Sequence, residues 1–567
     1  PDSTTIGLAM YAAQTQKGNT GVSSSPGTNS ATRSITYYYT GNGPGFEQAI
    51  YTDNYTNSVH TTRTLYYYGT VSGGPGSQPD MGTATRSMVR SITKRWNAST
   101  DSVGSTESIT YYDIHLGPGN ELASYTDNYY SNGLVSSRTR YWYGTATIIP
   151  GDPESGIVQA ASASLSSRMV KSLSMNQSET ATYSETFYHI TGRSRGDEVA
   201  YYTYKLSGGI RTDITYYYYG TYANPDAKIH AGSADPSFLM TWSDTYRWSG
   251  SLATQVIKST THYDVHLDEK GEEIADYTWN YNYAGNTIKT ITRYWYSVTT
   301  SSIVAAAAAA ANYLMKEVTT YYWTSGAQGN IMSHAYYSIF KDATLRAKGE
   351  EIADSTYYYG DYSSYNTRLD TYYYGTIEGN GSDANSSDAD WLMVRSDSKN
   401  MQTNTMMSKT YYNIKKNGAT LRAKGEEIAD FTYTYNSSGT AYVDVAIFFY
   451  GAGNTRAKSA VDGTANESTI RLTTTDVTSS NYAALTNKIR LVTTTTDSRD
   501  DFVHEVGGNF VPVDDGTPPP YEFGTESNMQ RCYMKSYDVY EIRYGKGYEI
   551  LAYSYTYEIT YNGTTPP

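Results

Sequence analysis

Lys270-Gly271-Glu272-Glu273-Ile274-Ala275-Asp276 is the stretch around which the chain is built, and the same seven residues return at Lys348 to Asp354 and at Lys424 to Asp430. In the last two copies the identity reaches back to Ala343 and Ala419. Looser copies are Gly45-Phe46-Glu47-Gln48-Ala49, Gly119-Asn120-Glu121-Leu122-Ala123, Gly196-Asp197-Glu198-Val199-Ala200 and Gly547-Tyr548-Glu549-Ile550-Leu551. From glycine to glycine (Gly45, Gly119, Gly196, Gly271, Gly349, Gly425, Gly547) the steps are 74, 77, 75, 78, 76 and 122 residues. A fixed period of this kind marks a repeat architecture, and the last step carries an insertion.

Around the signature, each repeat reads as four extended segments with period-two alternation. The first is tyrosine-rich, as in Ile109 to Leu116, where Tyr112, Ile114 and Leu116 are expected to share a face. The second is the signature and its continuation, in which Glu273, Ala275, Tyr277, Trp279 and Tyr281 are expected on a common face. A tight turn such as Asn132-Gly133 or Gly285-Asn286 leads to the third, Arg138 to Thr145 and its counterparts. After a variable loop, a fourth segment closes the unit: Arg86 to Trp96, Arg168 to Met175, Phe238 to Trp248, Tyr313 to Trp323 and Trp391 to Ser398. The expected fold is all-β, a tandem array of about seven four-stranded antiparallel units, solenoid-like or spiral. Its alternative is a seven-bladed propeller. Cut within the variable loops, the repeats span 1–80, 81–160, 161–232, 233–304, 305–385, 386–462 and 463–567. The last includes an insertion with an extra hairpin and an incomplete end.

Composition narrows the function. Tyrosine reaches 63 residues against 10 Phe and 8 Trp, so the aromatic surface is almost all amphipathic. The formal net charge of −13 carries no basic face for nucleic acid or an anionic membrane. One cysteine, Cys532, excludes an intrachain disulfide framework and is expected on a strand. No apolar run is long enough for a membrane-spanning helix. The chain begins at Pro1, consistent with a removed leader or with a segment of something longer. Seven alanines, Ala305 to Ala311, read either as a helical turn or as stand-ins for other residues, and the second is preferred because no neighbouring repeat has anything similar in sequence.

The signature glutamates Glu47, Glu121, Glu198, Glu273, Glu351, Glu427 and Glu549 could be acid and base if paired across a cleft. Equivalent copies favour a structural role instead, each Glu facing Arg or Lys of a neighbouring strand and fixing register. No catalytic, metal or cofactor residues are assigned; His115 and His266 recur without a repeated ligand set, and Asp383 to Asp390 lacks a calcium-loop spacing. The tyrosine clusters are expected to form cross-strand ladders, with subunit interfaces as the next reading. Glycosylation sequons stand at Asn54, Asn97, Asn176, Asn380, Asn385, Asn436, Asn466 and Asn562.

Tyr112-Asp113, Tyr263-Asp264 and Tyr537-Asp538, each entering a turn, followed by Tyr/Thr strands and Asn-Gly or Ser-Gly turns, resemble the tyrosine-rich YD (RHS-type) repeats of large secreted bacterial surface and shell proteins. Tyr188-His189, Tyr337-Ser338 and Tyr412-Asn413 depart from the dipeptide, and the usual Gly-Arg-Leu after it is absent. The resemblance implies extracellular β-arrays with structural, adhesive or encapsulating roles and no catalytic residues to carry over. Together with array ends in mid-unit, it leads to the expectation of a secreted or surface structural protein whose copies polymerise end to end, with glycan binding as the alternative.

Overall fold

Alternating Tyr and Thr, broken by Gly, Asn and Asp, gives strands and tight turns throughout. The computed structural model describes residues 10–16, 32–42, 46–56, 59–78, 86–97, 101–152, 154–179, 181–207, 210–248, 255–268, 270–324, 326–360, 365–416, 420–422, 424–425, 427–440, 442–450, 455–456, 486–493, 503–506, 509–512, 532–541 and 550–556. Among them there is no α-helix, and no helix long and apolar enough to cross a membrane.

Counted from first strand to fourth, which assigns each fourth strand to the repeat before the one that the loop cuts give it, repeat 2 shows the plan: strands Ser102–Asp113, Leu122–Tyr129, Val135–Gly144 and Arg168–Met175, each antiparallel to the one before. The fourth strand then pairs with the first strand of the next repeat, as in Ser172↔Thr186, Arg90↔Tyr111 and Ser243↔Thr261. Ladder bonds thus cross repeat boundaries, so the repeats form a meandering strip and are not the separate blades of a propeller. Two compact units result. One comprises Pro1–Ser207, Arg211–Lys316 and Arg346–Glu350; the other comprises Gly208–Ile210, Glu317–Leu345 and Glu351–Pro567. In the second unit, Thr486–Thr493 takes the fourth-strand place between Tyr442–Tyr450 and Cys532–Glu541. A separate two-stranded hairpin pairs Val503–Val506 with Asn509–Pro512.

The strip has two rims. The loop rim carries the turn between first and second strands and the long loop after the third strand. The hairpin rim carries the short turn after the second strand and the turn after the fourth.

Three details depart from the sequence expectation. First strands stop at Asp113 and Asp264, short of Leu116 and Leu267, because each carboxylate accepts the backbone N–H two residues on, at 3.0 and 2.9 Å. That local bond replaces the ladder, so Tyr112, Ile114 and Leu116 do not form one strand face. Second, Asp276 is a bulge: Tyr263 pairs with Ala275 and His262 with Tyr277, leaving Asp276 without a partner across the ladder. The alternation slips there, and Glu273 precedes the strand, so the common face is confined to Tyr277 and Trp279 beside His262 and Trp242.

Third, the alanine run has counterparts. Val304–Ala305 leads into a 3₁₀ turn, Ala306–Ala308, as Val158–Gln159 leads into Ala160–Ser162 and Ser382–Asp383 into Ala384–Ser386. Three residues per turn put Ala160 with Ala163 and Ala306 with Ala309 on the same side, and all four are buried. These alanines plug a small core with the residue after the signature Glu and a third-strand tyrosine: Leu122 with Tyr143, Ile274 with Tyr296, Ile352 with Tyr374. Val199 and Tyr219 do the same over Ala231 and Ala234. Burying each such aliphatic side chain stabilises the rim by about 1.5–3 kcal/mol.

Candidate functional site

Among the described residues, the feature that recurs from repeat to repeat is the signature turn on the loop rim, and its residues have mechanical tasks. The glycine is held at positive φ in Gly119 (81°), Gly196 (93°), Gly271 (89°), Gly349 (85°) and Gly425 (84°), a region that a side chain makes costly. The cation before it reaches the preceding repeat. Lys270 donates to the Pro236 carbonyl at 3.1 Å, Lys348 to that of Ala311 at 3.2 Å and Lys424 to that of Ala389 at 2.5 Å; Arg195 does likewise at Leu165, 2.9 Å.

In five copies the glutamate is bonded to a backbone N–H, which corrects the register-pair expectation there. Its Oε1 accepts the backbone N–H of a methionine at the start of the preceding fourth strand, or in Met10 two residues ahead of it: Met10 to Glu47 at 2.9 Å, Met88 to Glu121 at 2.9 Å, Met169 to Glu198 at 3.1 Å, Met240 to Glu273 at 3.1 Å and Met393 to Glu427 at 3.1 Å. The reason lies in the register. The ladder between fourth and first strands begins two residues later, at Arg90↔Tyr111, Lys171↔Phe187, Trp242↔His262 and Arg395↔Tyr411. The methionine N–H therefore lacks a strand acceptor on that side, and the carboxylate supplies one. In two repeats the second oxygen also accepts the N–H of the signature glycine, Gly196 at 2.8 Å and Gly271 at 2.9 Å. The residue after the methionine is a bulge opposite the third strand, filled by Val89, Val170, Thr241 or Val394, all with 0 % exposure. The signature alanine carbonyl accepts a third-strand tyrosine hydroxyl, for example Tyr143 to Ala123 at 2.7 Å and Tyr296 to Ala275 at 2.6 Å.

Glu351 holds the same place ahead of the strand Ile352–Tyr359. Gly45, Gly547 and Glu549 lie outside the described residues, as do Asn466 and Asn562. Of the other sequons, Asn54 donates to Thr62 Oγ1 at 3.0 Å. Asn176 accepts from the Ala181 N–H at 3.1 Å, Asn380 from Arg395 at 2.8 Å, Asn385 from Ser338 at 2.9 Å, and Asn436 from the Thr440 N–H at 3.0 Å. Asn97 ends the strand Ser87–Asn97. In the acidic loop, Asp383 caps its 3₁₀ turn by accepting the Ser386 N–H at 2.9 Å, and Asp388 pairs with Lys341.

The two faces of the strip differ. One is a hydroxyl lattice centred on a second-strand threonine: Thr126 meets Thr110 at 2.8 Å and Tyr141 at 3.0 Å, Thr203 meets Thr186 at 2.8 Å and Tyr217 at 2.9 Å, and Thr278 meets Thr261 and Tyr294 at 2.9 Å. Between repeats a fourth-strand serine meets the next first-strand tyrosine: Ser91 with Tyr112, Ser172 with Tyr188, Ser243 with Tyr263, Ser396 with Tyr412, at 3.1–3.2 Å. Burial pushes the Tyr112, Tyr188 and Tyr263 hydroxyls above their ordinary 10.0.

The other face is aromatic and ionic. Tyr37/Tyr51, Tyr111/Tyr125, Phe187/Tyr202 and Tyr411/Phe431 stack across strands with centroids 4.6–4.8 Å apart, the expected ladders. Guanidinium groups cover ring faces: Arg63 lies 4.2 Å from Tyr51, Arg138 4.4 Å from Tyr125 and Arg211 4.0 Å from Tyr204. Asp53 and Asp127 hold Arg63 and Arg138 at 2.6 and 2.7 Å. Arg140 and Arg138 hold Glu179 below the ordinary 4.5. Burial alone would raise Glu154, but Lys171 and Arg211 outweigh it and hold that carboxyl low as well.

No protein-family model and no curated protein matches the chain. Among solved structures, a porin-like protein from Bacteroides uniformis ATCC 8492 aligns at 9% identity over 68% of this chain and 88% of its own, with a TM-score of 0.15. The TcdB2-TccC3-Cdc42 and TcdB2-TccC3-TEV structures each align at 7% identity over 92% of this chain, with TM-scores of 0.13 and 0.14. In both the chain spans 27% of the length of the protein it matches. At these scores the alignments carry no argument about function.

Proposed function

We propose that the protein is an extracellular structural protein of the tyrosine-rich YD-repeat kind, a β-strip that builds a wall and whose copies join into a filament, tube or sheath. The observation that carries this reading is the repeated clamp: the signature carboxylate binds a strand amide of the preceding repeat in five copies, where a reaction would need one constellation unlike the rest. Polar groups are spent on holding neighbours together, and the hydroxyl lattice repeats with the same partners. The glycan-binding alternative draws no support from the rings of Tyr51 and Tyr125, which are covered by another ring and by a guanidinium. Electron microscopy of the purified full chain over a concentration series tests the reading. Extended assemblies are expected; discrete monomers at every concentration would refute it.

A further inference from the structure

The turn between the first and second strands of repeat 2 places an imidazole between two acceptors. His115 Nδ1 lies against Asp113 Oδ1, and its Nε2 lies 2.8 Å from the carbonyl of Ala163, the last residue of the alanine plug. A neutral imidazole has one N–H and one lone pair, so it satisfies one acceptor and turns a lone pair on the other. The imidazolium satisfies both. The ring is 36 % exposed, so protons reach it from solvent.

Its surroundings leave the choice to that proton. Asp113 is the charged group that bears on the ring among the described residues, and its bond holds the imidazole above the ordinary 6.5. Burial alone would raise the Asp113 carboxyl, but the His115 N–H, the His115 ring and the Ser72 hydroxyl, from the loop of repeat 1, outweigh it and hold it below the ordinary 3.8. The plug itself, Ala160-Ala161-Ser162-Ala163, offers no charged side chain. Beyond it, Arg195 of repeat 3 bonds the Leu165 carbonyl at 2.9 Å.

The neighbouring repeats give the comparison. In repeat 3 the corresponding turn sends Arg193, buried, to the plug carbonyls of Ala231 and Ala234 at 2.6 and 2.5 Å. That cation is permanent. In repeat 4, His266 makes the same bond to Asp264 at 2.5 Å and, among the described residues, none to its plug.

We infer that the plug of repeat 2 is a proton-operated clasp: His115 as a cation ties the Ala163 carbonyl to the Asp113 turn, and loss of the proton releases one from the other. Because the folded value lies above 6.5, the clasp contributes fully below 6.5 and fades as pH rises through the raised value. Ala163 covers Leu122 and Tyr143, so release loosens the small core of this repeat. Repeat 3 stays shut under Arg193. The clasp is independent of the wall-building reading and holds whether or not copies join.

The test is hydrogen exchange of the full chain, read by mass spectrometry on peptides covering 160–167 and 231–234 at about pH 5.5 and about pH 8.5, with rates corrected for intrinsic exchange. Wild type is expected to lose roughly three- to tenfold protection in the first peptide at the higher pH, and none in the second. His115→Gln should show the lower protection at both pH values. His115→Arg, which installs a permanent cation, should show the higher protection at both. Circular dichroism checks the β fold of each variant, and the comparison of the two wild-type peptides stands even where a variant does not fold. Equal protection of 160–167 at both pH values, or a matching loss at 231–234 or in His115→Arg, would overturn the clasp.

Discussion

The two faces of the strip obey different rules. On the hydroxyl face the same atoms meet in successive repeats: Thr126 holds Thr110 and Tyr141, and Thr278 holds Thr261 and Tyr294, with distances that agree within 0.1 Å. On the aromatic face the cast changes. Repeat 2 uses Arg138 and Arg140 on Glu179, repeat 3 uses Lys171 and Arg211 on Glu154 and Glu185, and repeat 4 stacks His262 on Tyr277. The lesson is that strand spacing is set where short hydroxyl side chains lock neighbouring strands. Long side chains that reach over one another can accept substitutes.

The comparison can be broken most forcefully at its anchor. Leu122→Ala, which empties the core over Ala160 and Ala163, should cost about 2–5 kcal/mol in denaturant unfolding. Thr126→Val keeps the shape and removes the hub, leaving Thr110 and Tyr141 without it; a loss of about 1–3 kcal/mol is expected. Tyr125→Leu on the opposite face forfeits stacking on Tyr111 and the cover of Arg138, and should cost only about 0.5–1.5 kcal/mol. A Tyr125 variant worse than the Thr126 variant would reverse the ranking of the faces.

A smaller effect separates the faces by pH. Glu154 and Glu179 have folded values held below 4.5, so their contribution is present above that value and fades as pH falls through the lowered one. The hydroxyl-face tyrosines are raised above 10.0; their contribution is present below 10.0 and fades as pH climbs through the raised values. Melting temperature against pH should therefore fall at both ends, and Glu179→Gln should flatten only the acid limb. An equal change in the alkaline limb would contradict the assignment.

Much of this was legible. The repeat, the four strands and the hairpins follow from period-two alternation and from turns such as Asn132-Gly133. So, in retrospect, does the glutamate's partner: Met10, Met88, Met169, Met240 and Met393 stand 37, 33, 29, 33 and 34 residues before their glutamates. The spacing was readable, but a side chain bonding to a backbone N–H leaves no complementary charge to notice. The alanine plug was readable too, in Ala160-x-x-Ala163 and Ala231-x-x-Ala234. Bulges at Asp276 and Val170 carry no compositional mark, since the slip depends on both strands. The seating of Glu350 on Ser131 joins residues 219 positions apart, a contact that no local pattern encodes.

The repeated clamp is tested most directly by hydrogen exchange at the Met240 amide in wild type and in Glu273→Ala. A bond to a charged acceptor contributes about 1.5–3 kcal/mol, so the variant should lose roughly ten- to a hundred-fold protection at Met240. The amides of Met88 and Met169, held by their own glutamates, should keep theirs. Unprotected Met240 in wild type, or protection unchanged in the variant, would contradict the clamp.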